Sequence, residues 1–211
     1  MASRGPYAKG RERREAILTA TVAAFSRTGY RGTSIRAIAQ EIGITPTLIQ
    51  HYFPTREELL TEVIRAWDEQ NARASDGIPM IDGFLGNIRR NARIPGLVRL
   101  YTAYAVEASD PDHVARPFFR ERYAAMTRMF DDDIRARQEA GTAPADLDPA
   151  DTARLLIATC EGLQVRWLHD GDFDIHGAFW EHLGSLGFEP YRSSPPPVDA
   201  QSTSRGDETL D

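Results

Sequence analysis

Residues 33–60, TSIRAIAQEIGITPTLIQHYFPTREELL, concentrate side chains suited to reading a DNA duplex. Gln50 carries an amide that can pair with both N6 and N7 of adenine, and Thr47 and Leu48 offer apolar surface to a thymine methyl. Thr33 and Ser34 precede a run of helical periodicity, where hydroxyl and backbone N–H donors can take a phosphate. His51 either contacts phosphate or fills space, and Thr45 is an N-cap in either case. Catalytic chemistry is poorly provided for. No nucleophile–base pair, Gly-rich phosphate loop or metal set is visible, so the chain is not expected to be an enzyme.

These side chains must be held by helices. Ile35, Ile38, Ala39 and Ile42 recur at helical spacing and Gly43 breaks the run. Thr45-Pro46 starts a second, very short helix with a hydroxyl cap and a proline at the first helical position. Ile49 faces inward there, leaving Thr45, Pro46, Thr47, Leu48, Gln50, His51 and Tyr52 on or beside the outer face. Thr55-Arg56-Glu57-Glu58 forms a capping box for the next helix. Helix, glycine turn and helix with a polar face is the layout of a helix-turn-helix, whose second helix enters the major groove.

Charge is distributed to match. Residues 1–55 hold eight bases (Arg4, Lys9, Arg11, Arg13, Arg14, Arg27, Arg31, Arg36) against three acids, a charge of +5, and the remainder carries −11 within a total of −6. A basic head for phosphates and an acidic body with another task follow. Hydrophobic residues make up 41% and charged residues 27%, the composition of a soluble globular chain. No apolar run spans a bilayer, the N-terminus lacks a signal-peptide core, and the single Cys160 allows neither an internal disulfide nor a thiolate metal site. A cytoplasmic protein without membrane contact is expected.

The periodicity is helical throughout, giving an all-α fold of about nine helices. Helices are expected over residues 8–28 (ended by Gly29), through the two short segments, then over 56–75, 80–93, 97–108, 117–140, 149–169 and 175–186. Leu97 to Ala108 is apolar nearly all round and should be buried on several sides. In the 117–140 helix Phe118, Phe119, Tyr123, Met126, Met129 and Phe130 are expected to face inward. Asp148 and Asp174 read as N-caps. Residues 191–211 have almost no large apolar side chain and read as a disordered tail.

Phe-x-x-x-Gly-Tyr-x-Gly-Thr-Ser, then Ile-Ala-x-x-x-Gly-Ile-Thr and His-Tyr-Phe-Pro-Thr-Arg-Glu-Glu-Leu-Leu, resembles the N-terminal domain of the TetR family of transcriptional regulators, densely over residues 13–63. The resemblance implies a homodimer with an N-terminal three-helix DNA-binding domain (residues 1–55) and a larger helical ligand-binding and dimerisation domain (56–190). It implies a repressor that a small-molecule effector releases from a palindromic operator in double-stranded DNA. Arg36 resembles a family position that reaches a guanine edge, with a solvated helix residue as its alternative, and Tyr52 and Arg56 resemble phosphate contacts. Gln50 stands where many relatives carry Tyr, and Thr47 near a usual Gly or Ala, so base preference does not transfer from them. An activator, or a regulator answering to a protein partner, is the alternative reading.

In the body, Trp67, Phe84, Tyr101, Tyr104, Phe119, Tyr123, Met126, Phe130 and Trp167 are the aromatic and methionine candidates to line a pocket, most of them core by default. Polar candidates beside them are Tyr101, Tyr104, Arg99, Glu107, Gln164 and Arg166. The expected ligand is small and largely apolar or aromatic, with no cofactor. Ala158 and Gly162, small and four apart, with Leu155, Thr159, Leu163, Phe179 and Leu183, make the last two helices the candidates for the dimer interface, with closing the core as their alternative. Asp170, Asp172, Asp174 and Glu181 mimic a calcium loop, but Ile175 stands where such a loop needs Gly. His169, His176 and His182 lack the companion spacing for zinc.

Overall fold

A computed structural model describes residues 6–189, excepting the side chains of residues 6–8, 26 and 28–32. The described residues form nine helices and no strand: α1 (Pro6–Gly32), α2 (Ile35–Glu41), α3 (Pro46–Tyr52), α4 (Arg56–Ala74), α5 (Met80–Asn91), α6 (Pro95–Glu107), α7 (Arg116–Glu139), α8 (Pro149–Asp170) and α9 (Ile175–Ser185). The all-α expectation is met. The proposed tail lies outside the described residues.

Side-chain caps start the helices where the sequence places them. Thr45 accepts from Leu48 N–H at 3.2 Å, Thr55 from Glu58 at 3.1 Å, Asp148 from Asp151 at 2.8 Å and Asp174 from His176 at 3.0 Å. The largest boundary difference is at α1, which continues through Gly29 to Gly32; the others shift by one or two residues, as at α6, which starts at Pro95. A mid-helix glycine costs only about 1 kcal/mol, and α1 is braced by packing against α2, α4 and α6.

Two cores hold the helices together. The first joins Ile17 and Phe25 of α1, Ile38 of α2, Ile49 of α3, Leu59 and Leu60 of α4, Leu100 and Tyr104 of α6 and Phe119 of α7. The second joins Ile81 and Leu85 of α5, Phe130 and Ile134 of α7, Leu156 and Cys160 of α8, and Phe179 and Leu183 of α9. Each such side chain contributes roughly 1.5–3 kcal/mol by leaving water. The first core crosses position 55, so the helix-turn-helix, α4 and α6 share one set of contacts. In the second core the buried guanidinium of Arg137 pairs with Asp82 and, at 3.3 Å, with Asp133, tying α5 to α7.

Burial corrects several expectations. Phe179 and Leu183 are 0% and 4% exposed. They close the second core instead of offering interface surface, because the inner stripe of α9 packs on α5 and α8. Val106 and Met129 are exposed, where their helical spacing is expected to turn them inward. No helix among the described residues is long and apolar enough to cross a membrane.

Candidate DNA-binding face and ligand cavity

The turn between α2 and α3 is a Schellman arrangement. Ile44 N–H donates to Ala39 O at 2.9 Å and Gly43 N–H to Gln40 O at 3.3 Å, with Gly43 at φ +66°. Only glycine takes that conformation without a Cβ penalty. Ile38, Ala39, Ile49 and Phe53 anchor the inner side of the pair. On the outer side Thr45, Pro46, Thr47, Gln50 and His51 are exposed, while Leu48 and Tyr52 are half-buried. The His51 and Tyr52 rings meet edge to face at 5.3 Å.

Ser34 is exposed, and its hydroxyl accepts from Ala37 N–H at 3.2 Å, capping α2. Thr33 beside it is 4% exposed. That burial removes its side chain from the set of phosphate donors expected from sequence. Arg36 is exposed, without an ion-pair partner among the described residues. Arg14 and Arg27 are instead committed to Glu62 and Glu41, and Arg14 also lies over the Phe53 ring at 5.1 Å. Arg56 is half-buried, 3.9 Å from both Glu57 and Glu107, so it already faces two carboxylates.

Behind this head, α4 runs into a cavity of about 510 Å³ bounded by α4, α5, α6, α7 and α8. Of the nine residues expected to line a pocket, Trp67, Phe84, Tyr101 and Met126 do so. Tyr104, Phe119 and Phe130 are instead packed in the cores at 4% exposure or less. Trp167 packs against the second core away from the cavity. Tyr123 stands behind the wall and acts through Glu161. The exposed Met129 belongs to the lining, at the mouth beside Ile78.

The polar wall was mostly missed from sequence. Asp68, Asn71, Arg122 and Glu161 line the cavity with Gln164, the only one of these singled out beforehand. Arg122 grips Asp68 with two hydrogen bonds of 2.7 and 2.9 Å, and its third donor reaches the Tyr101 hydroxyl at 3.1 Å. Its plane also stacks on the Tyr101 ring at 4.9 Å. The Tyr101 and Tyr123 hydroxyls both donate to Glu161 Oε1 at 2.6 Å. One chain of contacts therefore links α4, α7, α6 and α8. The signal available was modest: polar residues interrupting an apolar helical face, as Glu161 and Gln164 do beside Ile157 and Cys160.

Burial shapes the chemistry of this wall. It pushes the Tyr101 phenol well above its ordinary range and Tyr123 up to about 12, reinforced in both by Glu161. Both therefore remain donors at neutral pH. Burial alone disfavours charge on Arg122, but the Asp68 hydrogen bonds and charge outweigh it, so its pKa rises. Burial also pushes the Cys160 thiol up to about 12, which leaves it a poor nucleophile. Among the described residues no cluster of three metal-ligating side chains occurs. The wall can orient a bound molecule by charge and hydrogen bonding.

The interface candidates on α8 are at the surface. Leu155 is 64% and Val165 46% exposed, and Ala158 and Gly162 lie bare between them, with Thr159 and Leu163 half-buried alongside. A Cβ added at Gly162 would meet nothing within 4 Å in the single chain.

Comparison with known proteins agrees in both halves. Residues 17–63 match the family model described as bacterial regulatory proteins, tetR family, and residues 84–179 match that of the BetI-type transcriptional repressor C-terminal domain. The chain is 26% identical over 156 residues to the HTH-type transcriptional regulator UidR of Escherichia coli K12, covering 71% of this chain and 79% of that protein. A TetR-family regulator from Rhodococcus superposes with a TM-score of 0.67 at 24% identity, covering 84% of this chain and 99% of that one. A transcriptional regulator from Saccharomonospora viridis, solved in complex with choline, gives 0.68 at 20% identity, covering 85% and 100%.

Proposed function

This chain belongs to the TetR family, a DNA-binding transcriptional regulator, and from that premise we propose that it is a cytoplasmic repressor, released from a palindromic operator by a small ligand. The observation that carries the reading is a single helix, α4, whose first turn packs in the core of the helix-turn-helix and whose later turns line the cavity. The Tyr104 hydroxyl secures that first turn, donating to Glu57 O at 2.9 Å and lying 3.1 Å from Thr61. Farther along, Asp68 is held by Arg122 of α7. A ligand that displaces Trp67, Asp68 or Asn71 therefore strains contacts running to α2 and α3. In this reading residues 1–55 are the DNA-binding unit, residues 56–190 the sensing and dimerisation unit, and the cavity binds without catalysing.

In the operator complex α3 lies in the major groove. Gln50 reads adenine, Arg36 a guanine edge, and Thr47 and Leu48 meet thymine methyls. Ser34, Thr45, Pro46, His51, Tyr52 and Arg56 meet or flank the phosphates. The exposed α8 face supplies the two-fold contact, spacing two recognition helices about 34–36 Å apart. A gel shift against the operator selected from random duplexes tests the assignment. Arg36→Ala and Gln50→Ala are each expected to weaken binding by about 1–3 kcal/mol and relax preference at one base pair, with circular dichroism unchanged. Unaltered affinity and preference in both variants would overturn these contacts.

A further inference from the structure

Glu161 and Gln164, on successive turns of α8, line the cavity, and each has an oxygen that receives no donor from the described residues. Gln164 Oε1 is buried and has no hydrogen-bond partner, its amide nitrogen resting 3.7 Å from Cys160 Sγ. Glu161 receives both phenol hydroxyls on Oε1, and no described residue donates to its Oε2. A buried acceptor left unmade costs about 1–3 kcal/mol, so Gln164 Oε1 marks a place where a donor belongs, and the Glu161 carboxylate beside it has an oxygen free to accept. The two residues are three apart on one helix, neighbours on its surface.

The charge here has a definite sign. Asp68 and Arg122 neutralise each other through their paired hydrogen bonds, leaving Glu161 with phenols alone as partners. Asp76 adds a second carboxylate at the cavity edge. Arg90, on α5, is turned to Asn87 and Ser75 at the opposite wall. The rest of the lining is apolar or aromatic: Ile64, Trp67, Phe84, Leu97, Met126 and Met129. We propose that the ligand of this cavity is an amphipathic primary or secondary amine, whose protonated nitrogen donates to Glu161 Oε2 and Gln164 Oε1 while its apolar body lies along Trp67, Phe84 and Met126.

A carboxylate or acyl anion would meet Glu161 with like charge and leave both acceptors unmade. A neutral alcohol satisfies one acceptor. A quaternary ammonium matches the charge but brings no N–H donor. The proposal rests on the cavity being the effector site, and the test separates the two. Isothermal titration of the full chain uses n-octylamine, n-octanol, n-octanoate and octyltrimethylammonium near pH 7.5. Octylamine is expected to bind saturably and at least tenfold more tightly than each of the other three. Glu161→Gln keeps an acceptor for both phenols and removes the charge, so it should bring octylamine down to the octanol level with the melting temperature retained. Gln164→Met should weaken octylamine severalfold without weakening octanol. Octanol, octanoate or octyltrimethylammonium binding as tightly as octylamine, or indifference of octylamine to Glu161→Gln, overturns the amine assignment and leaves the effector-site reading standing. Absence of saturable binding by all four overturns both.

Discussion

Three phenols and one thiol in the body hold their protons to higher pH than they would in an unfolded chain. Burial is the leading cause for Tyr101, Tyr104, Tyr123 and Cys160 alike. Each raised pKa stabilises the folded chain fully below the unfolded value, about 8.5 for the thiol and about 10 for the phenols. That stability is lost as pH climbs through the raised folded values, about 12 for Tyr123 and Cys160. The melting temperature is therefore expected to fall steeply between about pH 9 and 12. A Cys160→Ser, Tyr123→Phe double variant should show a shallower fall when melting is followed by circular dichroism across that range; an unchanged slope would remove these groups from the account. At this scale the sequence was legible in type and poorly legible in place. Helical spacing turned Tyr104, Phe119, Phe130, Trp67 and Phe84 inward alike, yet it carries no information on whether the interior they face is filled. Glu161 and Arg122 were unreadable for a related reason, since their partners lie on other helices.

Element boundaries were written locally and could be read. Thr45, Thr55, Asp148 and Asp174 each cap the helix they precede, an interaction that spans three residues and needs no tertiary context. Gly29 misled because a glycine's helix penalty is small beside the packing that holds α1. Gly43 is the opposite case, where φ +66° makes the residue type a requirement. A Cβ there would meet no atom within 4 Å, so the cost of Gly43→Ala is purely conformational, about 1–2 kcal/mol. Thermal unfolding should show a drop of a few degrees, and operator affinity should fall with it because the turn sets the angle between α2 and α3. A variant as stable as the parent would mean that this turn relaxes freely.

At the scale of the whole molecule, a single chain leaves an apolar surface open, the one proposed for the two-fold contact. The α8 stripe of Leu155, Ala158, Gly162 and Val165 is exposed, although its opposite face, with Leu156, Ile157 and Cys160, is buried. Small residues four apart let a second helix approach closely, and the flanking Leu155 and Val165 supply apolar area that water disfavours. The same helix lines the cavity through Glu161 and Gln164, so the proposed dimer contact and the proposed ligand contact would lie on two faces of one rod. Gly162→Ala gives opposite signs in the two states: in an isolated chain it should stabilise α8 by about 1 kcal/mol through helix propensity, whereas in a close-packed pair it adds a methyl where backbones meet. Ala158→Arg is the sharper test. Its side chain has solvent in the single chain, so the fold and the melting of the body should survive. In a two-fold pair it places two like charges in an apolar contact, and sedimentation should show a monomer where the parent sediments as a dimer. Operator affinity should collapse in step, since one recognition helix reads only half of a palindrome. A dimeric Ala158→Arg variant with full operator affinity would move the two-fold contact to another face of the body.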